Sequence, residues 1–197
     1  ILTRLVGSEM CIRDSGNLGR RRSLGKLAEL SDLLVRDPLL GKSGIGHTRW
    51  ATHGKPSVNN AHPHMTAEVA VVHNGIIENF QELREYLQKR GIQHTTDTDT
   101  ETIALLTQAM IEDGHEAIEA AKKTIDKLTG AFALCFLFEG HNDLMVIARK
   151  GSPLAIGIGK GEMFVGSDAI ALSPMTNKIS YLEEGDFAVL TLSLIHI

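Results

Sequence analysis

The sequence changes character at Gly130, and this change restricts the fold more than any other feature. Before Gly130, apolar residues recur at helical spacing in four segments, whereas after it short apolar runs alternate with glycines. Helices and strands are therefore partly segregated along the chain, which is typical of a layered α+β domain and not of a βαβ repeat. With 197 residues, 43% of them hydrophobic, the chain can bury one core of ordinary size.

Local signals place the individual elements. The pairs Asn79 with Glu82 and Thr98 with Glu101 have the spacing of helix-capping residues. The predicted helices run over residues 25–39, 79–91, 98–110 and 118–128. The predicted strands cover residues 69–72, 132–138, 144–148, 154–158, 163–165 and 179–192, the last of these broken at Glu184 and Gly185. Residues 73–75 are expected to form a loop after a buried strand, where functional groups are often found.

The two ends of the chain differ from its body. Residues 1–15 show no clean strand or helix period and no signal-peptide pattern, and residues 193–197 extend a strand pattern without a turn or cap. We expect both tails to be of foreign origin and leave them out of the fold prediction. The predicted domain therefore covers residues 16–192.

Charge and hydropathy exclude several classes of partner. The net charge is −4 and the basic residues are spread thinly except at 20–22, so the sequence shows no basic patch of the kind that binds nucleic acid. No apolar run approaches the roughly 20 residues of a membrane helix. The two cysteines, Cys11 and Cys135, form no disulfide framework. We expect a cytoplasmic protein that binds neither nucleic acid nor membrane.

Five of the nine histidines fall between residues 47 and 73. They are His47, His53, His62, His64 and His73. Imidazole is a common metal ligand, so a metal site is one interpretation of this cluster. The spacings match no metal-binding signature, however, and we predict neither a metal nor another cofactor.

A second interpretation is recognition of an amino acid. Arg49 can bind a carboxylate through two parallel hydrogen bonds, and Asp99, at a helix start, can pair with an ammonium. Asn74 and the backbone N–H of Gly75 can donate two hydrogen bonds to a developing oxyanion. Taken singly, the same residues also suit ordinary structural roles. Arg49 can form a surface ion pair and Asp99 can cap a helix. Asn74 and Gly75 can form a hairpin turn, and Trp50 can belong to the core.

Three motifs resemble the glutaminase domains of the glutamine–fructose-6-phosphate aminotransferase family, which are type 2 glutamine amidotransferases. They are residues 46–54 (GHTRWATHG), 60–64 (NAHPH) and 71–79 (VVHNGIIEN). The resemblance continues through residues 98–101, 151–154, 166–168 and 182–186 and covers about residues 20–192.

The resemblance implies an N-terminal nucleophile hydrolase-like fold, a four-layer αββα sandwich, here missing its first strand or strands. In that family an N-terminal cysteine attacks the side-chain amide of L-glutamine, with its own α-amine as base, and releases ammonia. A separate sugar-phosphate isomerase domain uses the ammonia to make glucosamine-6-phosphate in hexosamine biosynthesis. The intact protein is expected to be a homodimer.

The resemblance also implies a role for each matched residue. Arg49 corresponds to the residue that binds the α-carboxylate of glutamine, and Asp99 to the partner of its α-ammonium. Asn74 and Gly75 correspond to the oxyanion hole. The residues expected to line the glutamine pocket are Trp50, Thr52, His53 and His62. Asp97, two residues upstream in the Thr-Asp repeat of residues 96–99, is an alternative to Asp99. Asp99 is preferred because the two residues after it match the family.

The chain departs from the family in its cysteines. Cys11 is not followed by the Gly-Ile-Val-Gly of the family's first strand, and Cys135 lies in an apolar run that favours a buried, inert thiol. We therefore predict that the chain does not hydrolyse glutamine, and that a missing strand exposes a sheet edge. Two alternatives remain open: the glutaminase domain of another type 2 amidotransferase, and a non-catalytic module that binds glutamine or glutamate.

Overall fold

A computed structural model of the chain describes residues 5–14, 17–50, 55–191 and 195–196. The strands are β1 (Leu5–Asp14), β2 (Asn17–Ser23), β3 (Ser43–Trp50), β4 (His64–Met65), β5 (Val69–Ile77), β6 (Gly130–Phe138), β7 (Met145–Lys150), β8 (Ala155–Ile158), β9 (Met163–Gly166), β10 (Ile179–Tyr181), β11 (Phe187–Leu190) and β12 (Ile195–His196). The helices are α1 (Leu27–Arg36), α2 (Phe80–Lys89), α3 (Asp99–Glu112), α4 (Ala117–Ile125) and α5 (Ala169–Leu172).

A six-stranded antiparallel sheet forms the centre of the molecule, in the order β12-β11-β7-β6-β5-β4. Its middle strand β6 is almost wholly buried because both of its faces are covered. The strands predicted after Gly130 are confirmed in position, since their short apolar runs and intervening glycines are strong local signals.

Helices α2, α3 and α4 cover one face of this sheet and close the larger core. Leu83 and Leu87 of α2 are buried there together with Ile103 and Leu106 of α3 and Phe136 of β6. The four predicted helices are confirmed, because each has a regular apolar stripe. Within the described residues, every helix is too short or too polar to cross a membrane.

The starts of α2 and α3 are held in different ways. The hydroxyl of Thr98 accepts a hydrogen bond from the backbone N–H of Glu101, so the predicted cap of α3 is confirmed. The predicted side-chain cap by Asn79 is wrong. Its amide instead donates to the Lys127 carbonyl at 2.8 Å and accepts from the Thr129 N–H at 2.9 Å, which ties the start of α2 to the loop before β6.

Two three-stranded sheets lie on the other face of the six-stranded sheet, in the orders β2-β1-β3 and β10-β8-β9. A second core, which includes Ile45, Cys135, Ile147 and Ile156, fills the space between the layers. Helix α1 packs on the first small sheet and α5 on the second. The arrangement is an α+β sandwich, as predicted.

Residues 1–15 were left out of the fold prediction, and the structure places Leu5–Asp14 in a strand. These residues form β1, the middle strand of their sheet, with Cys11 opposite Arg20 on β2 and Ile45 on β3. Pairing with two neighbouring strands supplies the backbone hydrogen bonds that local sequence did not signal. The foreign origin of the two tails stays a prediction.

Candidate functional site

A cavity of about 300 Å³ opens where β3, β5 and the N-terminus of α3 meet. Its lining contains five residues predicted for the site, namely Arg49, His62, Asn74, Gly75 and Asp99. These residues come from four separate parts of the sequence. The structure therefore brings a guanidinium, a carboxylate, a side-chain amide and an imidazole to one cavity.

The loop predicted at residues 73–75 is wrong, because His73, Asn74 and Gly75 belong to β5. Their partners on β6 are Leu134, Ala133 and Phe132. The hairpin interpretation of Asn74 and Gly75 is excluded by the same pairing. Continuous pairing with β6 outweighs the local preference of Asn-Gly for a turn.

The charged side chains of the cavity are buried. Arg49 on β3 is 3% exposed and Asp99, the first residue of α3, is 4% exposed. One oxygen of Asp99 accepts a hydrogen bond from the backbone N–H of Ile77 at 2.9 Å, which fixes the carboxylate beside the end of β5. A buried cation and a buried anion on one cavity can hold the two charged ends of a free amino acid.

Asp97 is held outside this cavity. Its carboxylate accepts from the side-chain amide of Asn60 at 3.1 Å, and its backbone N–H donates to the oxygen of the same amide at 3.1 Å. Asp99, the aspartate preferred from the sequence, lines the cavity.

Asn74 and Gly75 lie at the exposed mouth of the cavity. The side-chain oxygen of Asn74 is 2.8 Å from Nε2 of His47, whose ring therefore donates to it. This bond occupies the amide oxygen, so that the amide N–H₂ is the group that Asn74 can offer to a ligand.

Behind the charged groups lies a cluster of histidine rings. His47 stacks on His62 with ring centroids 4.1 Å apart, and His64 meets His62 edge-on at 5.2 Å. The hydroxyl of Thr100 bridges Nε2 of His62 at 3.0 Å and Nδ1 of His73 at 3.1 Å. Nδ1 of His62 has no hydrogen-bond partner among the described residues, which leaves a buried polar atom at the cavity wall.

Burial keeps His62, His64 and His73 neutral at pH 7. It lowers the pKa of His62 well below its usual value and that of His64 to about 3. It also lowers the pKa of His73 to about 4, although Asp99, 3.8 Å from its Nδ1, and the Ala131 carbonyl act in the opposite direction. Within the described residues, the cluster brings no three His, Cys, Asp or Glu side chains into a metal-binding arrangement.

Sequence reasoning missed Thr98 and Thr100 as lining residues of the cavity. The signal available was the alternation of threonine with acidic residues over 96–101. Of the other predicted residues, Thr52 and His53 lie outside the described residues, and for Trp50 only the backbone, in β3, is described.

A second cavity of about 360 Å³ adjoins the first between the sheets and shares His47, His73 and Asn74 with it. Most of its other lining residues are apolar, and Cys135 is among them. Burial raises the pKa of the Cys135 thiol to about 12, so this cysteine is not a thiolate at pH 7.

Comparison of sequences matches residues 47–174, well over half of the chain, to the family described as "Glutamine amidotransferase domain". The matched range includes β3, β5 and α3, the elements that border the 300 Å³ cavity.

Curated relatives share a longer stretch. A glutamine–fructose-6-phosphate aminotransferase [isomerizing] of Bradyrhizobium diazoefficiens is 61% identical over 175 residues, or 89% of this chain. A protein of the same name from Brucella abortus is 58% identical over 177 residues, or 90% of this chain. The chain spans 29% of the length of each of these relatives.

Solved structures share the fold. Glutamine phosphoribosylpyrophosphate amidotransferase from B. subtilis superposes with a TM-score of 0.80 at 25% identity, covering 98% of this chain and 42% of that one. A glutamine aminotransferase class-II domain protein from Silicibacter pomeroyi superposes with a TM-score of 0.67 at 17% identity, covering 96% of this chain and 89% of that one. At this identity the similarity shows the fold alone.

Proposed function

Because the chain belongs to the family of glutamine amidotransferase domains, we propose that its 300 Å³ cavity binds L-glutamine. In the complete protein this domain would release ammonia from the glutamine side chain for the conversion of fructose-6-phosphate to glucosamine-6-phosphate. The observation that carries the proposal is the shared cavity of Arg49, Asp99, Asn74 and Gly75.

The charges of the cavity suit the backbone end of a free amino acid. The guanidinium of Arg49 would hold the α-carboxylate in a bidentate manner, and Asp99 would pair with the α-ammonium. Both side chains are almost fully buried, so water competes little with a bound ligand for their charges. A zwitterion supplies both partners at once, whereas an amine or an acid alone supplies only one.

The side-chain amide of glutamine would then extend toward Asn74 and Gly75. The amide N–H₂ of Asn74 and the backbone N–H of Gly75 would donate to its carbonyl oxygen as negative charge develops there. The neutral rings behind them, among them His62, add polar atoms without adding a positive charge that would repel the ammonium. Trp50, Thr52 and His53 are proposed to complete the pocket on the basis of the family motif.

We propose further that the 197-residue polypeptide does not itself hydrolyse glutamine. Cys135 is buried and protonated, and Cys11 lies in β1 without the glycine-rich sequence that follows the nucleophile of the family. The isomerase domain and the homodimer are likewise proposals for the complete protein, whose relatives are more than three times as long as the aligned segment.

Two alternatives make different predictions. A type 2 amidotransferase with another acceptor shares the glutamine pocket, and the phosphoribosylpyrophosphate enzyme with a TM-score of 0.80 is an example of that architecture. It would differ only in the acceptor domain. A non-catalytic binding module would retain affinity for glutamine or glutamate and show no link to ammonia release in any longer form of the protein.

Titration calorimetry of the purified chain with L-glutamine tests the proposal. We expect binding by the unaltered chain and a loss of affinity of about 10- to 100-fold in Arg49→Lys, because a bidentate charge-assisted pair is replaced by a point charge. Arg36→Ala is the matched control, since the Arg36 guanidinium contacts only the Asp32 carbonyl of its own helix among the described hydrogen bonds. Absence of glutamine binding, or equal affinity in Arg49→Lys, would refute the proposal.

A further inference from the structure

A continuous line of hydrogen bonds runs from Glu101 to His64 behind the cavity. The carboxylate of Glu101 is 2.8 Å from the hydroxyl of Thr96, which is 2.9 Å from the hydroxyl of Thr98. That hydroxyl is in turn 2.9 Å from Nε2 of His64. All four residues are buried, so water does not compete for these bonds.

Counting protons gives this line a single direction. A carboxylate only accepts hydrogen bonds, so the one hydroxyl proton of Thr96 must go to Glu101. The 2.9 Å contact between the two threonines then requires the proton of Thr98. With its proton used, Thr98 can only accept from His64, and Nε2 of that ring must carry a hydrogen.

The remaining contacts of the two threonines fit this direction. The oxygen of Thr96 also accepts from the backbone N–H of Thr98 at 3.3 Å, and the oxygen of Thr98 also accepts from the backbone N–H of Glu101 at 3.4 Å. Each hydroxyl therefore donates once and accepts twice, which is its full capacity. Reversing either hydroxyl would leave two acceptors facing each other without a proton.

The His64 ring is neutral, so the direction of the line decides its tautomer. Burial, with the nearby guanidinium groups of Arg22 and Arg20, lowers the pKa of His64 to about 3. A neutral imidazole has one N–H, and the line places it on Nε2. The same ring packs edge-on against His62, whose ring lines the cavity.

We propose that Glu101 is a positioning residue, which through the hydroxyl groups of Thr96 and Thr98 fixes His64 as its Nε2–H tautomer and thereby holds the ring of His62 at the cavity. Glu101 does not line that cavity. Only the last step, from His62 to bound glutamine, rests on the proposed function. The tautomer of His64 is a property of the unliganded chain.

Nitrogen NMR of the full chain labelled with ¹⁵N-histidine tests the relay directly. We expect His64, identified by its loss in His64→Gln, to show a protonated Nε2 and a bare Nδ1. In Thr96→Val the hydroxyl of Thr98 loses its acceptor and can donate to Nε2, so His64 should exchange between its two tautomers. Thr96→Ser should restore the single form.

Thr95→Val is the matched control. The hydroxyl of Thr95 donates to the other oxygen of Glu101 at 2.8 Å, so this variant removes a similar hydrogen bond from the same carboxylate but leaves the relay intact. It should keep the Nε2–H tautomer. The proposal is overturned if His64 of the unaltered chain is the Nδ1–H tautomer, and this measurement does not depend on whether any variant folds. It is also overturned if folded Thr96→Val shows a single Nε2–H form.

Calorimetry with L-glutamine tests the step to His62. We expect Thr96→Val to bind about threefold more weakly than Thr95→Val and Thr96→Ser, the effect of one lost hydrogen bond. Equal affinities together with an altered tautomer would overturn the role of Glu101 in positioning His62. If the unaltered chain shows the expected tautomer but binds no glutamine, the proposed function fails while the assignment of His64 stands.

Discussion

Gly75 occupies a backbone position of β5 that a side chain cannot share. Its φ is 128°, and a Cβ atom built there would lie 2.1 Å from the carbonyl oxygen of Ala131 on β6. Residues other than glycine rarely adopt this φ, and the obstructing atom belongs to the backbone of a central strand. The missing side chain therefore allows the two strands to pair beside the cavity.

Gly75→Ala is expected to lower the free energy of unfolding by about 3 kcal/mol, because it adds both backbone strain and a clash. Gly114→Ala is the control: its φ is 92°, but nothing lies within 4 Å of the added Cβ, so only the strain of about 1 kcal/mol applies. Urea denaturation measures both. Equal losses would show that the contact with Ala131 does not matter.

The buried histidines link stability to pH. The pKa values of His64 and His73 fall from an ordinary 6.5 to about 3 and about 4 in the folded chain, and that of His62 falls in the same direction. Below pH 6.5 the unfolded chain therefore binds more protons than the folded chain. The stability that these neutral rings contribute is retained above pH 6.5 and is lost as the pH falls toward their lowered pKa values.

We expect the free energy of unfolding to decrease by up to about 1.4 kcal/mol per pH unit for each such histidine below about pH 6.5. Urea denaturation between about pH 7.5 and pH 5 measures the slope. His64→Gln keeps an N–H donor but removes one titrating ring, so its slope should be shallower. A flat profile, or an unchanged slope in this variant, would contradict the neutral state of His64.

At the scale of elements, an irregular segment delivers His62 to the cavity. Residues 55–63 form neither helix nor strand, and Asn60 anchors them. The Asn60 amide donates to the Lys55 carbonyl at 2.9 Å and exchanges two hydrogen bonds with Asp97 just before α3. Arg22 of β2 donates to the Ala61 carbonyl at 2.9 Å. Contacts from β2 and from the residues just before α3 therefore fix a segment that has no regular structure of its own.

Asn60→Ala is expected to lower the free energy of unfolding by about 2 kcal/mol and to increase amide hydrogen exchange in residues 55–63, since it removes three hydrogen bonds of a buried side chain. The neighbouring Asn59 is exposed, and its amide makes one hydrogen bond, to the Thr95 carbonyl. Asn59→Ala should cost less than about 1 kcal/mol. Similar costs for the two variants would show that Asn60 does not anchor the segment.

Elements with a strong local period were predictable, and those without one were not. Helices α2 and α3 and the strands after Gly130 follow from apolar spacing and turn residues. Strands β2 and β3 were missed because arginines at 20–22 and glycines at 44 and 46 obscure the alternation. In α4 the apolar period is followed at Ala121, which is buried, but not at Ile118, which is 41% exposed.

For the molecule as a whole, the candidate site depends on how the two layers of sheet meet. β3 belongs to a small sheet and β5 to the six-stranded sheet, while α3 begins on the helical side of β5. The cavity lies where these three elements converge. Each layer alone carries only part of the residues that would hold glutamine.

We expect the 197-residue polypeptide, purified as printed, to release no more ammonia from L-glutamine than a protein-free blank, and Cys11→Ala to change nothing. Neither cysteine has the surroundings of an activated nucleophile: Cys135 has a pKa of about 12, and Cys11 lacks the glycine-rich sequence of the family. A coupled assay for ammonia measures the rate. Release above the blank that disappears in Cys11→Ala would contradict this expectation.

The amino-acid sequence by itself determined the α+β class, the main helices and strands, and the residues to consider at the site, because periodicity, capping pairs and family motifs are local properties of the chain. Tertiary structure alone decided that residues 73–75 continue a strand and that Glu101 is connected to His64 through Thr96 and Thr98. Those outcomes depend on hydrogen-bond partners distant in sequence, and a local pattern carries no information about which partners packing will supply.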